Sequence, residues 1–172
     1  MKANFKSGWH VLYVKSRHEK KVETRLKEIQ LQPFLPLVKT VRQWSDRKKI
    51  INVPLFPSYI FVKINSPTNL HMALSVDGAS AYIRFGNKYG IVSEDEINKI
   101  KFLVNEPALT AIETTTDKIA VGEIRTINYG ILSGLKCEIL KVKNQNKIIV
   151  RVHSIGQNIV ATLPKAYLDK PL

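Results

Sequence analysis

Apolar residues crowd both faces of one stretch, Val53-Pro54-Leu55-Phe56-Pro57-Ser58-Tyr59-Ile60-Phe61-Val62-Lys63-Ile64, which reads as a strand. Side chains alternate along a strand, so Ile60, Val62 and Ile64 share one face and Tyr59, Phe61 and Lys63 the other. The aliphatic face suits cover by helices of its own domain. The aromatic face begins beside Phe56 and Pro57 and ends in a lysine, which fits either a strand covered on both sides or a partly exposed docking surface. If the surface docks, Tyr59 and Phe61 should both be dispensable for folding.

The same patterning organises the rest of the first hundred residues. Trp9-His10-Val11-Leu12-Tyr13-Val14 predicts a strand. Ser16-Arg17-His18-Glu19 fits a capping box opening a helix, with Val22, Leu26 and Ile29 inward and Lys20, Lys21, Arg25 and Lys27 outward. Phe34 to Trp44, interrupted by Pro36, and Ile50 to Val53 predict a strand and its return, joined by the polar turn Ser45-Asp46-Arg47-Lys48-Lys49. Trp44 at that tip either packs on the stem or stacks on a base. Ser66-Pro67 supplies an N-cap and first-turn proline for a helix through Leu70, Met72 and Leu74 to Gly78. Ala81-Tyr82-Ile83-Arg84-Phe85 and Tyr89-Gly90-Ile91-Val92 flank a Gly86-Asn87-Lys88 turn as a hairpin. Ser93 and Glu96 form a second capping box, for a helix carrying Ile97, Ile100, Phe102 and Leu103 and ending by Pro107. This order predicts an α+β domain over 7–106 with an antiparallel or mixed sheet, in a ferredoxin-like α/β sandwich.

Residues 107–118 lack sustained periodicity and read as a linker. From 119 to 172 the β runs Glu123 to Ile127, Cys137 to Val142, Ile148 to Val152 and Ile159 to Leu163 alternate with Gly122, Gly130, Gly134 and Gly156. Short strands with glycine turns and no helical stripe predict a small β-barrel rather than a pair of helices.

Charge adds a partner. The chain of 172 residues has a formal net charge of +13, and residues 1–63 hold 14 of its 27 Lys and Arg against four of its 14 acids. Such an imbalance fits nucleic acid, a membrane surface or a merely solubilising face, and the missing amphipathic anchor favours nucleic acid over membrane. No apolar run approaches the roughly 20 residues of a spanning helix, and Met1 to Gly8 lacks a signal-peptide centre, so the protein is expected in the cytoplasm. The lone Cys137 has no Cys or His at ligand spacing and reads as a strand-core thiol.

Catalytic patterns are missing. His10, His18, His71 and His153 are scattered without carboxylate or cysteine partners, and no Gly-rich phosphate loop opens a helix. Glu94-Asp95-Glu96 lies in a predicted first helical turn, where it complements the helix dipole. The expectation is a binding protein without cofactor or metal.

Trp9-His10-Val11-Leu12-Tyr13-Val14-Lys15, the basic helix, Leu55-Phe56-Pro57-Ser58-Tyr59-Ile60-Phe61-Val62 and Ile83-Arg84-Phe85-Gly86, in this order, resemble the NusG family of transcription elongation factors. Val121-Gly122-Glu123 through Gly130-Ile131-Leu132-Ser133-Gly134 resembles a KOW motif heading an SH3-like barrel. Lys15-Ser16-Arg17-His18-Glu19-Lys20-Lys21-Val22 and Gln43-Trp44-Ser45-Asp46-Arg47-Lys48-Lys49 look most like the specialised paralogues, the UpxY-type antiterminators of capsule polysaccharide operons and their relative RfaH.

The resemblance implies docking on the clamp helices of RNA polymerase through Phe56, Pro57, Tyr59 and Phe61, with pausing or termination suppressed. His71 falls where RfaH begins a polar motif that touches the opposite polymerase jaw, with Met72 and Ala73 in place of its threonines. Lys15, His18, Lys21 and Arg25 fall on the helix by which RfaH reads single-stranded non-template DNA, and Asp77 stands where that reader has an arginine. Lys20, Arg47, Lys48 and Lys49 extend this candidate nucleic-acid surface. The barrel would recruit a small-subunit ribosomal protein or Rho, although Ile155 replaces the aromatic residue of that contact. The competing reading is an RNA- or ribosome-binding KOW protein that needs no polymerase docking.

Overall fold

The computed structural model describes residues 5–119, 121–128, 133–142 and 145–168. The chain divides into two compact units, 1–94 and 95–172.

The first unit is built on two antiparallel strands, β1 (Gly8–Val14) and β5 (Tyr59–Ile64), paired from Gly8 opposite Ile64 to Tyr13 opposite Tyr59. This register gives the two faces their contents. Leu12, Val14, Ile60, Val62 and Ile64 lie on one face, fully buried against Val22 and Leu26 of α1 (Glu19–Glu28) and against Leu70 and Ala73 of α2 (Pro67–Leu74). Burying each such side chain is worth about 1.5–3 kcal/mol, which ties the helices to the sheet. The sheet is entirely antiparallel: β2 (Gln32–Phe34) pairs with β5, while β6 (Ala79–Tyr82) and β9 (Ile91–Val92) both pair with β1.

A separate hairpin joins β3 (Leu37–Gln43) to β4 (Lys48–Pro54), in register from Leu37 opposite Pro54 to Gln43 opposite Lys48. Its seven-residue arms place the tip roughly 20 Å from the base at ~3.3 Å per residue. The smaller hairpin of β7 (Arg84–Phe85) and β8 (Lys88–Tyr89) closes through Gly86-Asn87, with Gly86 at φ 60.

Several local expectations are corrected. The stretch from Val53 is not one strand: β4 stops at Pro54, Leu55 to Ser58 form a turn with Ser58 at φ 66, and β5 starts at Tyr59. The first capping box does not form. Arg17 takes φ 65, His18 becomes the N-cap without a side-chain bond, and Glu19 turns inward, 6% exposed, to accept the Ser58 N–H at 2.9 Å. In α2 the expected cap is present, Ser66 Oγ accepting from Asn69 N at 3.1 Å, but Ala73 lies inward while Leu74, expected inward, is exposed.

In the second unit α3 (Glu94–Asn105), whose first residue still belongs to the first unit, buries Ile97, Ile100 and Leu103, while Phe102 is exposed. The expected linker is partly strand: β10 (Thr110–Thr115) pairs with β14 (Gln157–Leu163), with a register shift beside Ala111 at φ 49. The sheet order is β10-β14-β13-β12-β11, with β11 at Glu123–Thr126, β12 at Lys136–Val142 and β13 at Gln145–Val152. All pairs are antiparallel. Glu138 on β12 is held below the usual carboxylate range chiefly by its hydrogen bonds from Arg151, at 2.7 and 2.8 Å. It also accepts the Gly122 N–H at 2.7 Å, and a Cβ at Gly122 would lie 2.5 Å from the Ile139 carbonyl oxygen, so only glycine fits. Cys137 is buried in β12, and burial pushes its thiol up to about 11. The predicted KOW segment Gly130-Ile131-Leu132 lies outside the described residues.

Candidate functional site

The aromatic face of the central strands is graded in exposure. Trp9, Val11 and Phe61 are at most 2% exposed, whereas Tyr13, one pair further along, is 43% exposed and Tyr59 opposite it is half-buried. Tyr13 and Tyr59 meet edge to face at 5.7 Å. Phe56 lies fully buried against Phe61 at 5.5 Å, with Phe34 stacked on Phe61 from the neighbouring strand. The turn therefore presents Pro57 and Tyr59 to solvent and keeps Phe56 and Phe61 beneath them. As surface residues the two phenylalanines are a correction: with no exposed area they can only support a contact, because the turn folds Phe56 back under the strand. Tyr13 was missed by sequence reasoning, although its alternation in step with Trp9 and Val11 marks it as sharing the aromatic face. His71 is exposed on a separate element, α2.

Lys63 and Glu94 close the other end of this face. The Trp9 indole N–H donates to Glu94 Oε2 at 2.8 Å, and the Lys63 ammonium lies 3.2 Å from the same oxygen and 5.7 Å from the Trp9 ring centroid.

On α1 and the loop before it the predicted cations are spread around an exposed surface. Lys15, Lys20 and Lys21 are exposed, and His18 is partly buried with its Nδ1 3.1 Å from the Ser16 carbonyl oxygen. Arg25 is already engaged: its guanidinium donates to the Asp77 carboxylate at 2.5 Å and to the Asp77 carbonyl at 2.8 Å. That hydrogen bond, with the Arg25 charge and those of Lys21 and Lys15, holds the exposed Asp77 below the usual carboxylate range. Lys20 reaches away from this cluster, donating to the Asn52 carbonyl at 3.0 Å. Arg47, Lys48 and Lys49 are exposed at the hairpin tip, as is Trp44 at 55%, so its ring is not packed away on the stem.

Between the start of α1 and the inner face of the β3–β4 hairpin lies an open cleft of about 580 Å³, lined among others by Arg17, Lys20, Arg42, Val53, Pro54 and Pro57. Arg17 and Arg42 were not singled out from sequence. They are 25 positions apart and only the hairpin fold brings them to one cavity. Among the described residues no three His, Cys, Asp or Glu side chains gather as a metal cage, and no helix is long and apolar enough to cross a membrane.

Residues 7–101 match the family model described as transcription termination factor NusG. Among solved structures, the chain is similar to NusG of Thermotoga maritima, at 19% identity and a TM-score of 0.51, with 94% of this chain and 96% of that chain covered. Two structures of the MjSpt4:Spt5 complex align over 94% and 90% of this chain and 95% and 99% of theirs. Their identities are 12% and 10% and their TM-scores 0.33 and 0.32. No curated protein matches the chain. The Thermotoga structure speaks for the fold, and the family model covers more than half of the chain: the protein belongs to the NusG family, whose members are transcription factors and not enzymes.

Proposed function

We propose that this protein is an elongation and antitermination factor that docks on the clamp helices of RNA polymerase and suppresses pausing or termination, at operons of the capsule polysaccharide type. The observation that carries the docking is the graded aromatic face: a solvent-facing Tyr13, Pro57 and Tyr59 backed by buried Phe56 and Phe61. Aromatic anchors on a rigid base dominate many interfaces because little side-chain freedom is lost when they bind. Phe56 and Phe61 serve the docking from beneath, and His71 contributes a separate polymerase contact from α2.

The first domain, 7–106, grips displaced non-template single-stranded DNA with Lys15, His18, Lys20, Lys21 and Arg25, helped by Arg47, Lys48 and Lys49. The segment 107–118, which contains β10, precedes a KOW-type SH3-like barrel over 119–172, whose partner is a small-subunit ribosomal protein or Rho. The work is done in the cytoplasm, without catalysis or cofactor.

A single-round transcription assay with the cognate polymerase tests this reading. Wild-type protein should shorten pauses, and Lys15→Glu with Lys21→Glu should weaken binding to a single DNA strand without unfolding. With about four phosphates neutralised, log affinity should fall against log salt with a slope of roughly −3, at ~0.7 per contact. Unchanged pausing with wild-type protein would reject the function. An unchanged slope in the charge-reversed variant would make the basic face a solubiliser only.

A further inference from the structure

We infer that the cleft between α1 and the β3–β4 hairpin receives one nucleotide of a single DNA strand, its phosphate among Arg17, Lys20 and Arg42 and its base over Val53, Pro54 and Pro57. This rests on the reading that the first domain binds single-stranded DNA, and adds a place where the strand leaves the outer helix face.

The cleft has the make-up such a ligand requires. Its volume of about 580 Å³ falls within the ~300–1,000 Å³ of pockets that enclose small molecules. Cations from both walls line it, Arg17 and Lys20 from the helix side and Arg42 from the hairpin. The acid in its lining, Glu19, is buried and turned to the Ser58 N–H. Lys20 is placed between the walls by its bond to the Asn52 carbonyl, which uses one of its three N–H donors. The valine and proline side chains give an apolar surface against which a base can lie.

The backbone points the same way. Arg17 and Ser58 are non-glycine residues at φ 65 and φ 66, and Arg17 lines the cleft while Ser58 follows its Pro57 wall. Residues held in this region persist where surrounding structure fixes them, and they cluster at functional sites. Here Glu19 supplies the fixing bond for Ser58. The two together aim a cation and a proline ring at one cavity.

The test measures binding of a labelled single DNA strand of about 12 nucleotides, within the ~4–16-nucleotide footprints of such sites. Arg17→Gln with Arg42→Gln should flatten the salt dependence by roughly 0.7, the one phosphate that the two arginines share. Thr40→Trp adds bulk to the hairpin wall without changing any charge, and should weaken binding at least about tenfold with the melting temperature held. Ser16→Phe does the same from the helix wall and replaces it should Thr40→Trp not fold. Wild-type protein that fails to bind the strand would overturn the underlying DNA reading. Wild-type binding with all the cleft variants unchanged would overturn the cleft alone, as would equal competition by a polyglutamate peptide, since that would reduce it to a general anion surface.

Discussion

Asp77 sets a limit on the basic face at the residue scale. Its carboxylate occupies Arg25, so a phosphate arriving there must displace an intramolecular partner. Asp77→Asn should therefore tighten single-strand binding and steepen the salt slope by roughly 0.7, one more phosphate contact. Looser binding with a lowered melting temperature would show instead that the pair matters as a clamp between α1 and the loop before β6. His10 gives a second prediction at this scale. It is fully buried, with Phe5 stacked on its ring and Tyr82 and Tyr89 packed edge-on. Its Nε2 lies 2.9 Å from the Lys6 carbonyl, which can only accept, so Nε2 carries the proton. Among the described residues Nδ1 has no partner. Burial holds this imidazole below its ordinary value, against the raising effect of the Lys6 bond. The unfolded chain then takes up the proton first, so the contribution is complete above about pH 6.5 and is lost as pH falls from there through the folded pKa. Denaturant unfolding between about pH 7.5 and 5.5 should show this loss, and His10→Phe should flatten it. An identical pH slope in both proteins would contradict the assignment. Neither role was legible in sequence, because the Arg25 partner of Asp77 lies 52 positions away and the Tyr82 and Tyr89 rings packed on His10 lie on other strands.

Element patterns were legible wherever one side of an element is covered. β1, α1, α2 and α3 lie where apolar runs or helical spacing predict, whereas the strand expected over Phe34 to Trp44 is split into β2 of the main sheet and β3 of the hairpin. What escaped were the joints. Ser16 and Glu19 have the spacing of a capping box, yet Glu19 bonds the Ser58 N–H 39 positions away. A local rule cannot see that a distant turn offers the better donor. The bond braces the turn that carries Pro57, so Glu19→Ala should lower stability by about 1–3 kcal/mol, the cost of a buried donor left unmet. Denaturant titration checks this, and an unchanged midpoint would mean the turn holds itself. The cleft was equally illegible, because Arg17 and Arg42 become neighbours only after β3 and β4 fold back.

For the molecule as a whole, the order of elements and the family were legible, since they depend on patterns sustained over many residues. The segment after Asn105 was read as a linker because β10 has few apolar positions. Its place comes from pairing with β14, which no local pattern announces. The aromatic face was half legible: alternation shows which residues share it, but not which are covered. Phe61 shares it and is fully buried, so Phe61→Ala should cost about 3–5 kcal/mol of stability, as the reading of a strand covered on both sides requires at this position. Tyr59, half-exposed beside Pro57, separates docking from folding. The decisive measurement is therefore the equilibrium affinity of cognate RNA polymerase for wild-type protein and for Tyr59→Ala, with thermal melting of both alongside. Docking predicts that Tyr59→Ala melts within a few degrees of wild type yet binds at least about tenfold more weakly. A folded Tyr59→Ala protein that binds polymerase as wild type does would contradict it.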